Sequence, residues 1–119
     1  MINSYKDLIV WQKGVGLTKE IYTLTRKFPV EERFGLVSQM RRSAVSVPSN
    51  IAEGRGRTSR KDFVHFLRIA NGSAMELETQ VIIAKDIYSK IDFSKAENLL
   101  IEIQKMLSVM IKKLNEAKS

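Results

Sequence analysis

The side chains best suited to bind a partner are basic and surround one turn of the chain. They flank the glycine-containing segment 54–58 and are Arg55, Arg57, Arg60, Lys61 and, about two helical turns further along, Arg68. An arginine guanidinium binds phosphate oxygens two at a time, and the glycines would let a nucleic-acid strand approach the backbone. These residues are therefore candidate phosphate contacts. A solvated basic loop that binds nothing is the alternative.

A second group of basic residues lies earlier in the chain and suggests a different role. If the second and third predicted helices form a hairpin centred near Arg57, then Arg41 and Arg42 lie level with residues 73–74 and one turn from Glu76. We predict that at least one of the two arginines makes an ion pair, within the subunit or between subunits. Contact with nucleic acid is the alternative.

Catalytic chemistry has few candidate residues in this sequence. The chain has one histidine, His65, and no cysteine, so a triad or a metal site lacks a second such member. The turn Gly54–Gly56 is too short for a phosphate-binding loop and follows no predicted strand. Glu76 and Glu78 are two residues apart and cannot share a helix face. We predict no enzymatic activity, no cofactor and no metal.

The positive charge is concentrated in the first part of the chain. The net charge is +7, and residues 33–68 hold 8 basic against 2 acidic residues, while residues 71–119 hold 7 of each. Such asymmetry favours an anionic partner. Trp11, Tyr22 and the phenylalanines have the spacing of core residues, so we do not expect aromatic side chains to stack on bases.

Length and composition are typical of one ordered domain. The 119 residues include 44% hydrophobic residues and two prolines, which predicts a single domain over residues 1–119. The N-terminal segment lacks the apolar core of a signal peptide, and no apolar run approaches the roughly 18 residues of a membrane span. Because cysteine is also absent, we expect a soluble cytoplasmic protein with no membrane partner.

Apolar periodicity predicts four helices, at about residues 6–28, 31–54, 59–90 and 94–117. Short connections between them favour an all-α, antiparallel up-down-up-down four-helix bundle. The start of the second helix is predicted from the carboxylates that follow Pro29, which favour the positive end of a helix dipole. The start of the third is predicted from Ser59 and Asp62, which can form a cap.

The predicted buried faces follow helical spacing, and the last two helices keep a heptad rhythm typical of left-handed bundle packing. Helix by helix, the positions are Leu8, Trp11, Val15, Tyr22 and Phe28; Leu36, Met40, Ala44, Val47 and Ile51; Leu67, Ala70, Ala74, Leu77, Val81, Ala84 and Tyr88; Ala96, Leu100, Ile103, Leu107, Met110 and Leu114. Further apolar residues of the last helix lie off this stripe and indicate self-association. They are Leu99, Ile101, Met106, Val109 and Ile111.

One proline lies inside the predicted second helix. Pro48 has no N–H and so frees the carbonyl of Ala44, for which reason we predict a kink rather than a break. Ser43 or Ser46 could satisfy the released groups. In the first helix, Gly14 and Gly16 indicate either close backbone contact or simple tolerance.

Several segments together resemble the 23S rRNA intervening-sequence protein family, generally described as four-helix-bundle proteins. The matching segments cover most of residues 8–90, while the fourth helix matches in pattern only. They are Leu8–Lys13, Ile21–Tyr22 with Thr25–Pro29, Phe34–Leu36 leading to Gln39–Arg42, Ser46–Gly54, and Phe66–Leu67 through Glu76–Gln80.

The resemblance implies a four-helix bundle that assembles as a ring-like homopentamer. Such an assembly is similar to the accessory variability proteins of diversity-generating retroelements, which bind nucleic acid and a reverse transcriptase. The resemblance does not imply an enzyme. We assign structural or intersubunit roles to Arg41, Arg42, Pro48, Glu53 and Glu76. We expect a homo-oligomer that binds nucleic acid, RNA in the first place, through a basic surface repeated around the ring. The alternative is a scaffold whose basic surface docks an acidic protein partner.

Overall fold

Four α-helices, joined by short connections, make up most of the computed structural model, which describes residues 4–117. They are α1 (Ile9–Thr25), α2 (Leu36–Arg55), α3 (Arg60–Ile87) and α4 (Ser94–Glu116). Short 3-10 turns precede α1 and α2, and residues 4–117 contain no β-strand. Each helix packs against the next, and α1 also packs against α4 around one core. The predicted all-α fold with four helices is confirmed.

The second helix begins later than predicted. Residues Val30–Glu32 form a separate 3-10 turn, in which the N–H of Glu32 donates to the carbonyl of Pro29 three residues back. Gly35 then leaves the helical region, with φ −109° and ψ −111°, and α2 starts at Leu36. The predicted start at Glu31 is therefore wrong, because the two carboxylates belong to the turn and not to the first turn of α2.

The carboxylate of Glu32 has a tertiary role instead. It accepts a hydrogen bond from the hydroxyl of Tyr88, just beyond the end of α3. This bond raises the pKa of Tyr88 to about 12, so the hydroxyl keeps its proton, and its role as donor, to a higher pH than an ordinary tyrosine hydroxyl would. The ring of Tyr88 also contacts Phe28, with ring centroids 4.8 Å apart. These contacts join the α1–α2 connection to the end of α3.

The heptad positions of α3 and α4 form the centre of the core. Six of the seven predicted α3 positions are buried, and Tyr88 is half-buried; on α4 the first four are buried and the last two are half-buried. Ile111, predicted to lie off the stripe, is also buried. The α2 positions are likewise buried except Leu36, which is half-buried. For these three helices, the predicted inner face is confirmed in its main positions.

The inner face of α1 differs from the prediction. Its buried apolar residues are Val10, Leu17, Ile21 and Leu24. The predicted stripe through Trp11, Val15 and Tyr22 lies at the edge, and Tyr22 is 36% exposed. Helix α1 carries apolar residues on more than one face. The sequence therefore predicts that this segment is helical, but not which of its faces is buried.

Helices α1 and α2 approach closely at the proline. A Cβ atom on Gly14 would lie 3.3 Å from the Cβ atom of Pro48, so close backbone contact explains this glycine. A Cβ atom on Gly16 would meet nothing within 4 Å, so Gly16 is a case of simple tolerance. Helix α2 continues through Pro48 without a break. The carbonyl of Ala44, which Pro48 cannot serve, lies 3.0 Å from the Thr18 hydroxyl of α1, which shares its one proton between this carbonyl and that of Gly14, 2.9 Å away. Its donor therefore comes from the neighbouring helix, and the predicted role of Ser43 or Ser46 at this carbonyl is wrong.

Helices α2 and α3 approach closely at Gly54. A Cβ atom added there would lie 2.7 Å from the Cβ atom of Phe66 and 3.2 Å from the carbonyl oxygen of Phe63. Further along the pair, the hydroxyl oxygens of Ser46 and Ser73 are 2.7 Å apart. Small residues thus line this contact, because larger side chains would not fit where the two helices come close together.

Replacing Thr18 by valine tests the bridge to the Ala44 carbonyl. We expect the free energy of unfolding to fall by about 1–3 kcal/mol, because a part-buried acceptor loses its donor while the shape of the side chain is kept. Urea unfolding gives this value. Thr23→Val is the matched control, since the Thr23 hydroxyl bonds only within α1 at an exposed site. In a Pro48→Ala background, residue 48 regains an N–H for this carbonyl, and Thr18→Val should cost less. Equal costs in both backgrounds would contradict the bridge.

Two glycine-to-alanine changes should shift stability in opposite directions. Gly54→Ala should lower the free energy of unfolding by about 1–3 kcal/mol, because the added methyl group meets the backbone and side chain of α3. Gly72→Ala, in α3, should raise it by about 0.5–1 kcal/mol, since its Cβ would meet nothing within 4 Å. Thermal and urea unfolding measure both. A neutral Gly54→Ala would show that the helices do not pack this closely.

Candidate nucleic-acid interface

The predicted phosphate contacts lie where α2 turns into α3. The N–H of Arg57 donates to the carbonyl of Gly54 at 3.1 Å and closes the end of α2. The Ser59 hydroxyl oxygen accepts from the N–H of Asp62 at 3.0 Å, which confirms the predicted cap of α3. Gly54 is buried against α3, so of the two glycines in this turn Gly56 alone is exposed to a ligand. The basic residues are thus attached to two packed helix ends.

Arg57 already has two partners. Its guanidinium lies 2.5 Å from a carboxylate oxygen of Glu53, one turn earlier on α2. It also lies 4.8 Å from the ring centroid of Phe66, as in a cation–π contact. The side chains of Arg57 and Glu53 are both largely exposed, so the ion pair contributes little to stability. A phosphate would have to compete with Glu53 for this arginine.

Arg60 and Lys61 lie together at the start of α3. They line a groove of about 270 Å³ with Val64 of α3 and Leu114 of α4. The Arg60 guanidinium donates to the carbonyl of Ala117, at the end of α4. This arginine therefore caps the last carbonyls of α4, where a positive charge is favourable.

The five predicted contacts do not form a single cluster. Arg60 and Lys61 share a groove, whereas Arg57 is directed towards Glu53 of α2 and Phe66 of α3. Arg68 is exposed further along α3, and Arg55 is half-buried at the end of α2. The end of the bundle is basic, but several of its cations are already engaged within the subunit.

Arg41 fastens α2 to α1. Its Nε atom donates to the Thr25 hydroxyl at 3.0 Å, and that hydroxyl donates in turn to the carbonyl of Ile21 at 2.7 Å. The Arg41 guanidinium also lies 4.4 Å from the ring centroid of Tyr22. Arg41 is therefore held by a hydroxyl group and an aromatic ring on the side of α2 that faces α1, away from Glu76.

Arg42 and Glu76 do share a groove, as the hairpin arithmetic predicted. This groove, about 390 Å³, runs between α2 and α3 and also includes the hydroxyls of Ser46 and Ser73. Within residues 4–117, however, neither Arg41 nor Arg42 makes an ion pair with Glu76. The predicted pairing within the subunit is not formed, and pairing between subunits stays a prediction.

A groove between α1 and α2 was not predicted from the sequence. We call it the aromatic groove; it measures about 500 Å³ and carries three arginines and no carboxylate along its wall. Its main residues are Tyr22, Arg33, Phe34, Arg41, Arg42 and Val45. Phe34 is 89% exposed, which contradicts the expectation that the phenylalanines lie in the core. The turn before α2 shifts Phe34 off the inner face, and helical spacing alone could not reveal this.

Other site chemistry is sparse in the described part of the chain. His65 is exposed, and its ring contacts only that of Phe66 among the aromatic groups of residues 4–117, at 5.3 Å between centroids. The same residues bring no three potential metal ligands together. None of the described helices is long and apolar enough to cross a membrane.

Comparison with known proteins agrees with the fold. The chain is similar to the crystal structure of a protein with unknown function from the S23 ribosomal protein family of Bacteroides thetaiotaomicron VPI-5482. The two share 27% sequence identity and a TM-score of 0.77, over 87% of this chain and 99% of the other. No curated protein matches the chain at a significant level. A family described as 23S rRNA-intervening sequence protein matches residues 6–109, and the chain therefore belongs to that family.

Proposed function

We propose that this protein is a non-catalytic homo-oligomer that binds nucleic acid, and RNA in the first place, through its basic surface. The observation that carries the proposal is the charge of residues 33–68, with 8 basic against 2 acidic groups. These residues lie on α2, on the turn before it and on the first turns of α3, so the charge is concentrated on part of the bundle. The family name, which refers to 23S rRNA, supports RNA as the first nucleic acid to test.

The proposed assembly is a ring-like homopentamer of up-down-up-down bundles. An antiparallel order is supported by two contacts: Ser46 meets Ser73, whereas the later residue Gly54 meets the earlier residue Phe66. One subunit offers few unengaged cations at the α2–α3 turn, so repetition of the surface would supply avidity. Such repetition is also what the resemblance to the accessory variability proteins implies.

A scaffold that docks an acidic protein in the cytoplasm is the second candidate. It is favoured by the groove beside Arg60 and Lys61, where the cations border the apolar side chains of Val64 and Leu114. Mixed walls of this kind suit protein side chains as well as phosphates. Co-purification distinguishes the two functions. Nucleic acid would raise the 260/280 nm absorbance ratio until nuclease treatment, whereas a protein partner would survive that treatment.

Salt dependence tests the nucleic-acid function. With labelled single-stranded RNA, we expect log affinity to fall linearly with log salt, by about 0.7 for each phosphate contact. Changing Arg55, Arg57 and Arg60 to alanine should weaken binding and make the slope shallower by about 2. The control is the triple alanine variant of Lys95, Lys112 and Lys113, which removes equal charge from exposed sites of α4.

The ion pair between Arg57 and Glu53 at the α2–α3 turn provides a further variant for this experiment. Glu53→Gln frees Arg57 from its carboxylate partner and should tighten RNA binding. A flat salt dependence of the wild-type protein would overturn the proposed function. Equal losses in the arginine and lysine triple variants would show that general charge, and not the turn, binds the RNA.

Light scattering tests the assembly. We expect the wild-type protein at micromolar concentration to have about five times the mass of one subunit. Val109 is 51% exposed in an apolar patch of α4 with Met106 and Met110, so Val109→Glu should reduce this mass. Val30→Glu is the control, because Val30 is 77% exposed on the turn before α2. A wild-type monomer would contradict the avidity mechanism.

A further inference from the structure

We propose that the aromatic groove between α1 and α2 is a separate nucleic-acid site that binds unpaired bases. The inference rests on the proposed function and deepens it, because it names single-stranded nucleic acid as the ligand class and assigns a surface other than the α2–α3 turn. Its main elements are the exposed ring of Phe34 and the guanidinium groups of Arg33 and Arg42.

The ring of Phe34 provides a stacking surface. It is 89% exposed, although phenylalanine is among the residues most often buried in folded proteins. It lies between the 3-10 turn and the start of α2, so neighbouring elements hold its backbone on both sides. The Arg33 guanidinium lies 5.8 Å from the ring centroid. A base can stack on such a ring whatever its identity, because every base has a flat π face.

The charges around the ring suit a phosphate backbone. The guanidinium groups of Arg33 and Arg42 belong to exposed residues and make no hydrogen bond or ion pair within residues 4–117, although that of Arg33 lies near the Phe34 ring. Arg41 is held in place by Thr25 and Tyr22 at the groove wall. Among the described residues, none that lines the groove carries a carboxylate. A phosphate bound here would therefore not have to displace an acidic side chain, in contrast to one bound at Arg57.

The combination of an exposed ring with arginines that have no carboxylate partner favours a single strand over other anionic ligands. In a duplex the bases are stacked inside the helix, so they could not reach Phe34 while their phosphates contact Arg33 and Arg42. An acidic peptide could use the arginines, but it would place a flat group on the ring only where it carries an aromatic side chain, whereas every nucleotide carries a base. The groove, of about 500 Å³, also borders Val45, which is 42% exposed and adds an apolar surface for a base.

Binding of matched single-stranded and duplex RNA tests the site. By fluorescence anisotropy, Phe34→Ala should weaken single-strand binding about tenfold, as loss of one stacked base predicts, and duplex binding less than about twofold. Phe34→Tyr should keep most of the affinity because the ring is retained. Changing both Arg33 and Arg42 to alanine should make the single-strand salt slope shallower by about 1.4. Matched controls are Val30→Ala and the double alanine variant of Lys112 and Lys113.

Several outcomes would overturn the site. Equal losses for both RNA forms in Phe34→Ala, or equal losses in the controls, would remove the stacking role. If Phe34→Ala lowers the mass in light scattering, the groove is a contact between copies. If it weakens poly-glutamate binding as much as RNA binding, the partner is an acidic protein. Losses confined to the α2–α3 turn variants would remove this site and leave the proposed function intact. If the wild-type protein binds neither RNA form, both proposals fail.

Discussion

The hydrogen bond from the Thr18 hydroxyl to the carbonyl of Ala44 holds together the part of the bundle on which the candidate surfaces depend. Pro48 removes the donor that α2 would supply to this carbonyl, and an unpaired carbonyl in a packed contact is costly. The donor comes instead from α1, which must therefore lie close to α2. The absence of a side chain at Gly14 allows that approach, since the position already faces Pro48.

This contact sets the geometry of the outer surface along α1 and α2. Two turns from Thr18, Thr25 receives the Nε–H of Arg41, and Tyr22 lies against the guanidinium of the same arginine. The wall of the aromatic groove is thus built from residues whose main role is to join the two helices. Arg42, the next residue of α2, takes no part in this joint; it is exposed and borders both the aromatic groove and the groove that contains Glu76. Two neighbouring arginines therefore differ in role because of helix geometry alone.

Much of the fold, and less of the candidate site, could be predicted from the sequence. The heptad positions of α3 and α4 specify both period and orientation, because one apolar stripe dominates each helix. Helix α1 has apolar residues on several faces, so Val10 and Leu17 could not be distinguished from Trp11 and Val15 as its inner residues. The hydrogen bond from Thr18 to the carbonyl of Ala44 could not be predicted from the sequence, because it depends on which helix lies opposite Pro48.

For the basic residues too, the sequence predicted less than the structure shows. Counting charges correctly identified the basic part of the chain, but a count does not show which cations are engaged. Arg57 is paired with Glu53, one helical turn earlier. Arg60 donates to the carbonyl of Ala117, 57 residues later in the chain. Phe34 was assigned to the core because helical spacing was extended across a segment that forms a 3-10 turn. Local backbone geometry, and not composition, decides whether this ring is buried or exposed.

The two proposed surfaces would bind nucleic acid through different physical terms. At the α2–α3 turn, a phosphate that takes Arg57 replaces an existing ion pair with Glu53, so the net gain is the difference between two similar interactions. At the aromatic groove, a phosphate at Arg33 or Arg42 displaces no carboxylate, and a base on Phe34 adds a stacking interaction that salt screens little. In an assembly, the first surface would supply long-range, salt-sensitive attraction from each copy. The second would supply short-range discrimination between paired and unpaired strands, which charge alone cannot provide.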